Sequence, residues 1–339
     1  MELKLGLIGY GNVGKSFIHI LNNKKEMIKR KFDLNVKVIA IFEFDGALIE
    51  NNGLNMDEIL EIGENFRDLP YWKQGVKVIE IINDLNINAC IETTPTNPNT
   101  GEPALSHIIK ALENGIDVVA SNKGPFFLEA EKIKSLAKKN NCLVRYEATV
   151  ASCVPSLSIK ENLIGNNIIR ITAILNGTCN YILSRMTSEG IPFDIALKEA
   201  QELGYAEADP TLDIEGYDAA GKLVIIANEL LEWSKNIKDV SIKGITKITP
   251  QAIDLAKTDG LIIKHLAIAD LINEELFVEP RLIEKDSPLN ISGTLNVIEL
   301  KTKYAGPIVL MGRGAGGFEA ASAILNDLIY IARRKQHPS

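Results

Sequence analysis

A glycine-rich turn near the start of the chain is the feature that most narrowly limits the fold. Gly9, Gly11 and Gly14 follow the apolar run Leu3–Ile8 and open a segment whose apolar side chains recur at helical spacing. In a strand–turn–helix unit, such glycines permit a tight turn, close approach of a pyrophosphate and close packing of helix on strand. The helix N-terminus adds free N–H groups and a favourable dipole. The predicted dinucleotide contacts are Gly9, Gly11, Asn12, Val13 and Gly14.

The first half of the chain alternates short strand-like runs with helical stretches. The runs are nearly continuous in apolar character, as expected for strands that helices cover on both faces. This alternation is typical of a parallel sheet with crossover helices. We therefore predict an α/β chain with a Rossmann-like, doubly wound domain over residues 1–150. The predicted strands are Leu3–Ile8, Val36–Phe42, Ala89–Glu92, Val118–Ser121 and Leu143–Glu147.

A second domain is predicted over residues 151–304, because the arrangement of strand-like and helical runs changes after Pro155. Strand-like runs lie closer together there, which indicates antiparallel pairing, and the domain reads as α+β. The glycine turn Gly314–Gly317 opens a last amphipathic helix, and the segment from about 305 to 339 is expected to pack back onto the first domain. The predicted strands are Ile168–Leu175, Ile262–Leu271, Leu276–Ile283 and Leu295–Leu300.

Charge and composition exclude several classes of protein. The chain has 37 Lys and Arg against 44 Asp and Glu, a net charge of −7, and no basic block, so nucleic acid is not an expected partner. No signal peptide and no run of about 18 apolar residues is readable, which predicts a cytoplasmic protein without membrane association. Four irregularly spaced cysteines indicate reduced thiols rather than a disulfide framework or a zinc site.

The same glycine turn also matches the phosphate loop of ATP- and GTP-binding proteins. Gly9 is followed after four residues by Gly14-Lys15-Ser16. Such a protein needs an acidic residue at a strand end to hold magnesium. Asp270 is the candidate, but it falls in the second domain. A phosphate-loop protein stays the alternative to a dinucleotide-binding one.

An acidic residue ends the second predicted strand, where the adenosine ribose of a dinucleotide would lie. Glu43 is the first candidate and Asp45 the second. A carboxylate there accepts hydrogen bonds from a 2′-hydroxyl and repels a 2′-phosphate. No Lys or Arg follows closely in the sequence, so we expect NAD rather than NADP. The interval from Gly14 exceeds the usual one, which a first helix from Asn12 to about Lys31 explains.

Polar residues follow two further strands of the predicted sheet. Thr93 and Thr94 come after Ala89–Glu92, and Lys123 follows the next strand. An open parallel sheet binds its ligand at the carboxyl ends of its strands. Thr93, Thr94 and Lys123 are therefore candidate cofactor contacts, although Lys123 also fits a cation that flanks a helix.

The densest group of acids surrounds one lysine in the second domain. Asp218 and Lys222 are four residues apart and share one face of a helix. Lys222 leads into the apolar run Leu223–Ala227, so a buried lysine able to donate or accept a proton is favoured over a solvated ion pair. Glu207 and Asp213 add two acids, which suits a substrate that carries an ammonium group.

These segments together resemble the homoserine dehydrogenase family over nearly the full chain. The blocks Leu175–Ile182 and Gly204–Pro210 are the most specific. The remaining matches are Gly9–Gly14, Glu92–Pro95, Asn122-Lys123, Tyr146–Val150, Pro288-Leu289, Gly293–Asn296 and Gly314–Gly316. The resemblance implies reversible, NAD(P)-dependent interconversion of L-homoserine and L-aspartate 4-semialdehyde, a step toward threonine, methionine and isoleucine.

The resemblance also implies roles for individual residues. Lys222 matches the family's proton-transfer lysine, and Lys123 matches a second catalytic lysine between cofactor and substrate. The implied substrate-binding residues are Glu207, Asp213, Asp218, Gly177 and Thr178. The implied cofactor contacts include Thr93, Lys123 and Gly316. Other members of the family are homodimers, which we expect here for the second domain.

A monovalent cation, usually sodium, is a further implication of the resemblance. Its ligands would be backbone carbonyls of Glu147, Val150, Ser152 and Val154. This chain departs from the family there, because Ala151-Ser152-Cys153 stands where glycine-rich sequence is common. We expect Cys153 to be buried and inert. The resemblance is to the short family form, so no threonine-sensing domain is expected.

Two alternatives remain from the sequence besides the phosphate-loop protein. One is a related two-domain dehydrogenase that acts on another amino or hydroxy acid. The other is a non-catalytic regulator that binds NAD, against which the lysine with three neighbouring carboxylates argues.

Overall fold

The computed structural model describes residues 1–337, which divide into two compact units. The first unit comprises Met1–Thr149 together with the chain from Gly316 onward, and the second comprises Val150–Ala315. The segment that returns to the first unit therefore begins at Gly316, compared with the predicted start near residue 305. The reason is that Pro307–Arg313 forms a strand that pairs within the second unit.

The strands and helices are numbered in chain order. The strands are β1 (Glu2–Ile8), β2 (Asn35–Glu43), β3 (Gly46–Ile49), β4 (Trp72–Gln74), β5 (Ala89–Glu92), β6 (Asp117–Ala120), β7 (Val144–Arg145), β8 (Ile168–Ile174), β9 (Val240–Ile242), β10 (Leu261–Asp270), β11 (Glu275–Glu284), β12 (Leu295–Thr302) and β13 (Pro307–Arg313). The helices are α1 (Asn12–Phe32), α2 (Met56–Ile62), α3 (Val78–Ile81), α4 (Ala104–Glu113), α5 (Gly124–Leu128), α6 (Ala130–Lys139), α7 (Gly177–Glu189), α8 (Phe193–Glu202), α9 (Thr211–Ile214), α10 (Tyr217–Leu230), α11 (Pro250–Thr258) and α12 (Gly317–Gln336).

The sheet of the first unit has the strand order β4-β3-β2-β1-β5-β6-β7 within residues 1–337. Strands β2, β1, β5, β6 and β7 pair in parallel, which confirms the predicted doubly wound, Rossmann-like sheet. The antiparallel strands β3 and β4 were not predicted. Strand β3 has only four residues, and β4 has three that are all at least partly exposed, so both are too short to be recognised from an apolar pattern.

The last predicted strand of this sheet is shorter than expected. The prediction of Leu143–Glu147 is wrong at its end, because Glu147–Thr149 forms a 3-10 turn. The backbone N–H of Glu147 donates to the Asp327 carboxylate at 2.9 Å instead of entering a sheet ladder. Arg145 also donates to Asp327, so α12 fixes the course of the chain after β7.

The core of the first unit joins residues from both ends of the sequence. Helix α1 runs to Phe32, close to its predicted end, and buries Phe17 and Leu21. Ile324 and Leu328 of α12 belong to the same apolar cluster. The helix that carries the glycine turn is therefore held in place by the last helix as well as by β1.

The sheet of the second unit has the strand order β13-β12-β8-β10-β11-β9 among the described residues. Its pairings are antiparallel except that of β9 with β11, as expected for an α+β unit. The four strands predicted from the sequence are present, whereas β9 and β13 were not predicted. Helix α10 is buried along nearly all of its length, including the residue Lys222.

Two further findings concern membrane-spanning helices and thiol chemistry. Within residues 1–337, no helix is long and apolar enough to cross a membrane. All four cysteines are free thiols; Cys90, Cys142 and Cys179 are buried. Cys153 is exposed, so the prediction that it is buried is wrong. Its neighbours Val150, Ala151, Ser152 and Val154 are buried, whereas the side chain of Cys153 is directed to solvent.

Candidate active site

The glycine turn of the first unit is built by contacts between β1, β2 and the end of β5. Gly9 has φ +93°, a conformation that side chains rarely adopt, and its N–H donates to the carbonyl of Phe42 at 2.9 Å. The Thr93 hydroxyl donates to the Gly9 carbonyl at 2.8 Å. Thr93 therefore lies against the turn, and its hydroxyl is engaged in shaping it.

Gly14 and Gly11 are required for different reasons. A Cβ atom on Gly14 would overlap the Gly9 carbonyl, so glycine there allows α1 to pack closely on the turn. A Cβ atom on Gly11 would meet no atom within 4 Å. Gly11 is the N-cap of α1 and has no side chain to bond the first N–H groups of the helix. The exposed residues Gly11 and Asn12 thus present an open, uncapped helix N-terminus, which favours an anion.

Glu43 lies beside the glycine turn, at the end of β2. Its Oε1 accepts a hydrogen bond from the backbone N–H of Tyr10 at 2.5 Å. Asp45 instead pairs with Arg67, which donates from Nε at 2.9 Å and from Nη2 at 3.0 Å. The Arg67 guanidinium lowers the pKa of Asp45. Arg67 is distant in sequence, so the absence of a nearby cation expected from the sequence does not hold in three dimensions.

The ends of β5 and β6 are joined by a buried polar network. Glu92 is fully buried and accepts from the Thr94 N–H at 2.8 Å, from the Thr94 hydroxyl and from His107 Nδ1 at 2.8 Å. Asn122 donates to the Thr94 carbonyl at 2.9 Å and accepts from the Gly124 N–H at 3.1 Å. This network fixes the backbone on both sides of Lys123.

Lys123 and Gly316 lie at helix N-termini of the first unit. Lys123 is the N-cap of α5 and is half-buried; its N–H donates to the Thr96 hydroxyl at 3.3 Å. Gly316 is the N-cap of α12 with φ +141°, and a Cβ atom there would overlap the Glu319 carboxylate. Gly317 packs against Asn12 and Ser16, so the first turns of α12 and α1 are neighbours.

The acids and the lysine predicted from the second domain form one hydrogen-bonded cluster. Lys222 Nζ donates to Asp218 Oδ2 at 2.6 Å and to the Leu175 carbonyl at 2.8 Å. Asn176 Nδ2 lies 3.0 Å from Asp218 Oδ2 and 2.7 Å from Asp213 Oδ1. The Asn176 amide therefore bridges the two carboxylates, and Lys222 is buried beside them.

Thr178 and Gly177 complete the cluster from the first turn of α7. The Thr178 hydroxyl lies 2.7 Å from the Tyr205 carbonyl and 3.2 Å from Asp213 Oδ2. Gly177 faces the Thr294 carbonyl, which would be 2.8 Å from a Cβ atom at that position. Asn176 is also the N-cap of α7 and accepts from the Cys179 N–H at 2.9 Å.

The cluster carries a net negative charge. Lys222 contributes one positive charge against the two carboxylates of Asp213 and Asp218. Burial, and next the charge of Asp218, raise the pKa of Asp213. The same cluster raises the pKa of the Cys179 thiol, first through burial and then through Asp213 and Asp218, so this thiol is inert. An added cation would relieve the repulsion between the carboxylates.

Glu207 is the predicted substrate residue that the cluster does not include. Its side chain is exposed on the loop before α9, and no hydrogen bond within the described residues joins it to Asp213 or Asp218. Its backbone carbonyl accepts from Gln201 at 3.1 Å, which holds the loop on α8.

The carbonyl ligands proposed for a cation lie on a strained segment. Ala151 and Ser152 have φ +51° and +52°, left-handed values that cost roughly 1–2 kcal/mol each in a non-glycine residue. Val150, Ser152 and Val154 are buried, and the Ser152 hydroxyl donates to the Gly314 carbonyl at 3.1 Å. The backbone therefore takes left-handed values at Ala151 and Ser152 although neither residue is glycine. Throughout residues 1–337, no group of three or more His, Cys, Asp or Glu side chains could hold a metal ion.

Comparison with known proteins identifies the family. The sequence profile of homoserine dehydrogenase matches residues 155–329. A homoserine dehydrogenase from Methanocaldococcus jannaschii is 44% identical, over 96% of this chain and 97% of that protein. The chain belongs to the homoserine dehydrogenase family. It is accordingly an oxidoreductase.

Two further homoserine dehydrogenases extend the match. An NAD(+)-dependent enzyme from Pseudomonas canavaninivorans is 36% identical, over 99% of this chain and 98% of that protein. A crystal structure of a homoserine dehydrogenase from Archaeoglobus fulgidus has a TM-score of 0.88 at 39% identity, covering 97% of this chain and 99% of that one. The family resemblance predicted from the sequence is confirmed, and so is the Rossmann-like fold class.

The phosphate-loop alternative fails on the positions of its two key residues. Lys15 forms an ion pair with Glu64 and lies 5.9 Å from the Tyr10 ring centroid. Asp270 accepts from the N–H groups of Ile272 and Asn273, which shapes the turn between β10 and β11. Membership in the homoserine dehydrogenase family favours a dehydrogenase instead.

Sequence reasoning missed three residues that organise these groups. Asn176 was read only as part of a motif, although an Asn-Gly pair directly after a buried strand signals a helix cap. His107 and Asn122 were assigned no role. Glu92 is a charged residue at the end of an otherwise apolar strand. Its position in the sequence could have predicted a buried polar network, because buried charged groups need hydrogen-bond partners.

Asp213→Asn tests the electrostatics of the cluster. Because the folded-state pKa of Asp213 is raised, the folded chain holds this proton more tightly than the unfolded chain does. The stability that Asp213 contributes is complete below its unfolded pKa and is lost as the pH rises through its folded pKa. The free energy of unfolding of wild type minus that of Asp213→Asn should fall as the pH rises above about 4, the usual pKa of an aspartate in an unfolded chain, as measured by urea unfolding.

Asp209→Asn is the matched control for this measurement. Asp209 is exposed, and its hydrogen bonds from Thr211 lower its pKa. Its contribution to stability is lost as the pH falls below about 4, so the corresponding difference should rise with pH in that range and stay level above it. A flat difference for Asp213 would show that burial does not control its titration.

Proposed function

We propose that the chain catalyses the reversible, NAD-dependent interconversion of L-homoserine and L-aspartate 4-semialdehyde. The observation that carries this proposal is the buried Lys222 ammonium, hydrogen-bonded to Asp218 and to the Leu175 carbonyl. It supports a proton donor and acceptor held beside a net-negative cluster that suits an amino acid's ammonium group.

Residues of the first unit fit a nicotinamide dinucleotide. The uncapped N-terminus of α1 at Gly11 offers free N–H groups for the pyrophosphate, and Glu43 lies beside the turn for the ribose hydroxyls. Such a cofactor, when bound, supplies or accepts the hydride. We assign Gly9, Thr93 and Thr94 to shaping this site, and Lys123 and Gly316 to contacting the cofactor.

Lys222 moves the proton. An ammonium group has three N–H donors, and two of these are used on Asp218 and Leu175, which leaves one for the substrate oxygen. In the reducing direction this N–H stabilises the developing alkoxide and then donates its proton to it. In the oxidising direction the neutral amine takes the hydroxyl proton, and Asp218 stabilises the ammonium that results.

The carboxylates orient the substrate. The Asn176 amide holds the carboxylates of Asp218 and Asp213 in fixed directions, which suits recognition of the substrate ammonium. Glu207, exposed on the loop before α9, supplies a further carboxylate when substrate orders that loop. Because the proposed reaction interconverts L-aspartate 4-semialdehyde and L-homoserine, we assign it to the synthesis of threonine, methionine and isoleucine.

Lys222→Met tests the mechanism. We expect turnover with homoserine to fall by about 10³-fold, because a general acid–base group contributes on the order of 10²–10⁴-fold. Affinity for NADH, measured by fluorescence, should be unchanged. Lys198→Met, which alters a lysine with a 75% exposed side chain on α8, is the control and should keep full activity.

Full turnover in Lys222→Met would remove this mechanism. A wild-type enzyme that oxidises other small hydroxy acids but not homoserine would favour the related dehydrogenase. NADH binding without turnover on any of them would favour a non-catalytic regulator.

The cofactor preference for NAD rests on Glu43. Its carboxylate would repel a 2′-phosphate, although Arg67 lies nearby on Asp45. Glu43→Gln keeps the shape and removes the charge, so kcat/KM with NADP relative to NAD should rise about tenfold, or about 1.4 kcal/mol. Glu61→Gln, at an exposed position of α2, is the control. A wild-type preference for NADP would overturn this assignment.

We propose that the chain forms a homodimer through its second unit. Strand β13 is an edge strand whose side chains are all at least partly exposed, including Met311 at 59% and Val309 at 40%. Met311→Lys should lower the mass measured by sedimentation from dimer to monomer, whereas Ile164→Lys, at an exposed loop residue, should not. A monomeric wild type would contradict the proposal. With a net charge of −7, no nucleic acid partner is proposed.

Sodium binding by backbone carbonyls of Glu147, Val150, Ser152 and Val154 stays a prediction. Carbonyl oxygens are suitable donors for a hard monovalent ion. The left-handed Ala151 and Ser152 support it, because strain of this kind is retained where the surroundings fix the backbone.

A further inference from the structure

Lys264 is a buried cation for which the proposed mechanism has no use. It lies in β10 of the second unit and is 2% exposed. Its Nζ donates to Asn180 Oδ1 at 3.0 Å, to Ser184 Oγ at 3.4 Å and to the carbonyl of Ile291. Each of these acceptors is uncharged. Burial lowers the pKa of Lys264 to about 8, so the group is still mostly an ammonium ion near neutral pH.

Burying an ammonium ion without a carboxylate partner is unfavourable, and an apolar side chain of similar length would fill the same space at less cost. The ammonium group instead fixes the positions of neighbouring segments. Its three hydrogen bonds join β10 to α7, which contributes Asn180 and Ser184, and to the loop 285–294, which contributes Ile291.

The loop 285–294 is in turn fastened to the first turns of α7. Asn180 Nδ2 donates to the Gly293 carbonyl at 2.9 Å, so this amide bonds Lys264 through its oxygen and the loop through its nitrogen. At the end of the loop, the Thr294 carbonyl packs directly on Gly177. Gly177 follows Asn176, whose amide bridges Asp213 and Asp218.

We infer that Lys264 is a positioning residue for the substrate cluster. It holds Asn180 and the loop 285–294 against the first turns of α7, so that Asn176 keeps its contacts with Asp213 and Asp218. This inference rests on the proposed function, because it assigns Lys264 to the affinity for the amino-acid substrate. Lys264 itself touches no reacting atom.

Lys264→Met removes the three hydrogen bonds and keeps an unbranched side chain. We expect KM for homoserine to rise about tenfold or more, while the Kd for NADH stays unchanged. The midpoint of urea unfolding should be the same or higher, because a buried charge is replaced by an apolar group. A merely structural role predicts instead that any loss of activity follows a loss of stability. Lys301→Met, at an exposed position of β12 in the same sheet, is the control.

Asn180→Asp provides a second test that does not depend on Lys264→Met folding. The aspartate still accepts from Lys264, and with greater strength, but it has no N–H for the Gly293 carbonyl. We expect a stable protein with a raised KM for homoserine. An unchanged KM in a folded Lys264→Met protein, or in Asn180→Asp if the former does not fold, overturns the inference. A wild type without homoserine activity would overturn the proposed function instead.

Discussion

The hydrogen bonds of the Asn176 amide are the contacts on which the second unit's chemistry depends. Burial, and next the charge of the neighbouring Asp218, raise the pKa of Asp213, so the two aspartates beside a single lysine need a further partner. The amide N–H groups satisfy one oxygen of each carboxylate, while the amide oxygen caps α7. Local helix capping and the arrangement of the charged groups are thus set by the same side chain, and neither can shift without the other.

The glycine turn of the first unit depends on the absence of side chains at its glycines rather than on charged contacts. Gly9 and Gly14 let the turn and α1 approach to distances that a Cβ atom would prevent, whereas Gly11 leaves open space in front of the helix. The Thr93 hydroxyl and the Phe42 carbonyl then hold the turn through its backbone. The anion-binding end of α1 is consequently fixed before any ligand arrives, which lowers the entropy cost of binding.

Much of this arrangement follows from the sequence, and the exceptions share a cause. Continuous apolar runs predict β1, β2 and β5 because burial on both faces leaves little room for polar side chains. Strands β3, β4 and β9 have only three or four residues, and the residues of the edge strand β13 are all at least partly exposed, so pairing with a neighbour decides these four strands. Lys222 and Asp218 were predicted from their helical spacing. Arg67 beside Asp45 and Asn180 beside Lys264 were not, because contacts between distant segments leave no local pattern.

The first unit takes its last helix from the far end of the chain, and this affects how the chain can fold during synthesis. Helix α1 buries Phe17 and Leu21 in the same cluster as Ile324 and Leu328 of α12. A nascent chain that ends before α12 must keep this apolar face of α1 uncovered. The second unit is continuous in sequence, so all of its residues are synthesised before α12. It can therefore form its core before the first unit does, although β1 leaves the ribosome earlier. Chaperone dependence during translation should therefore be concentrated on the first unit.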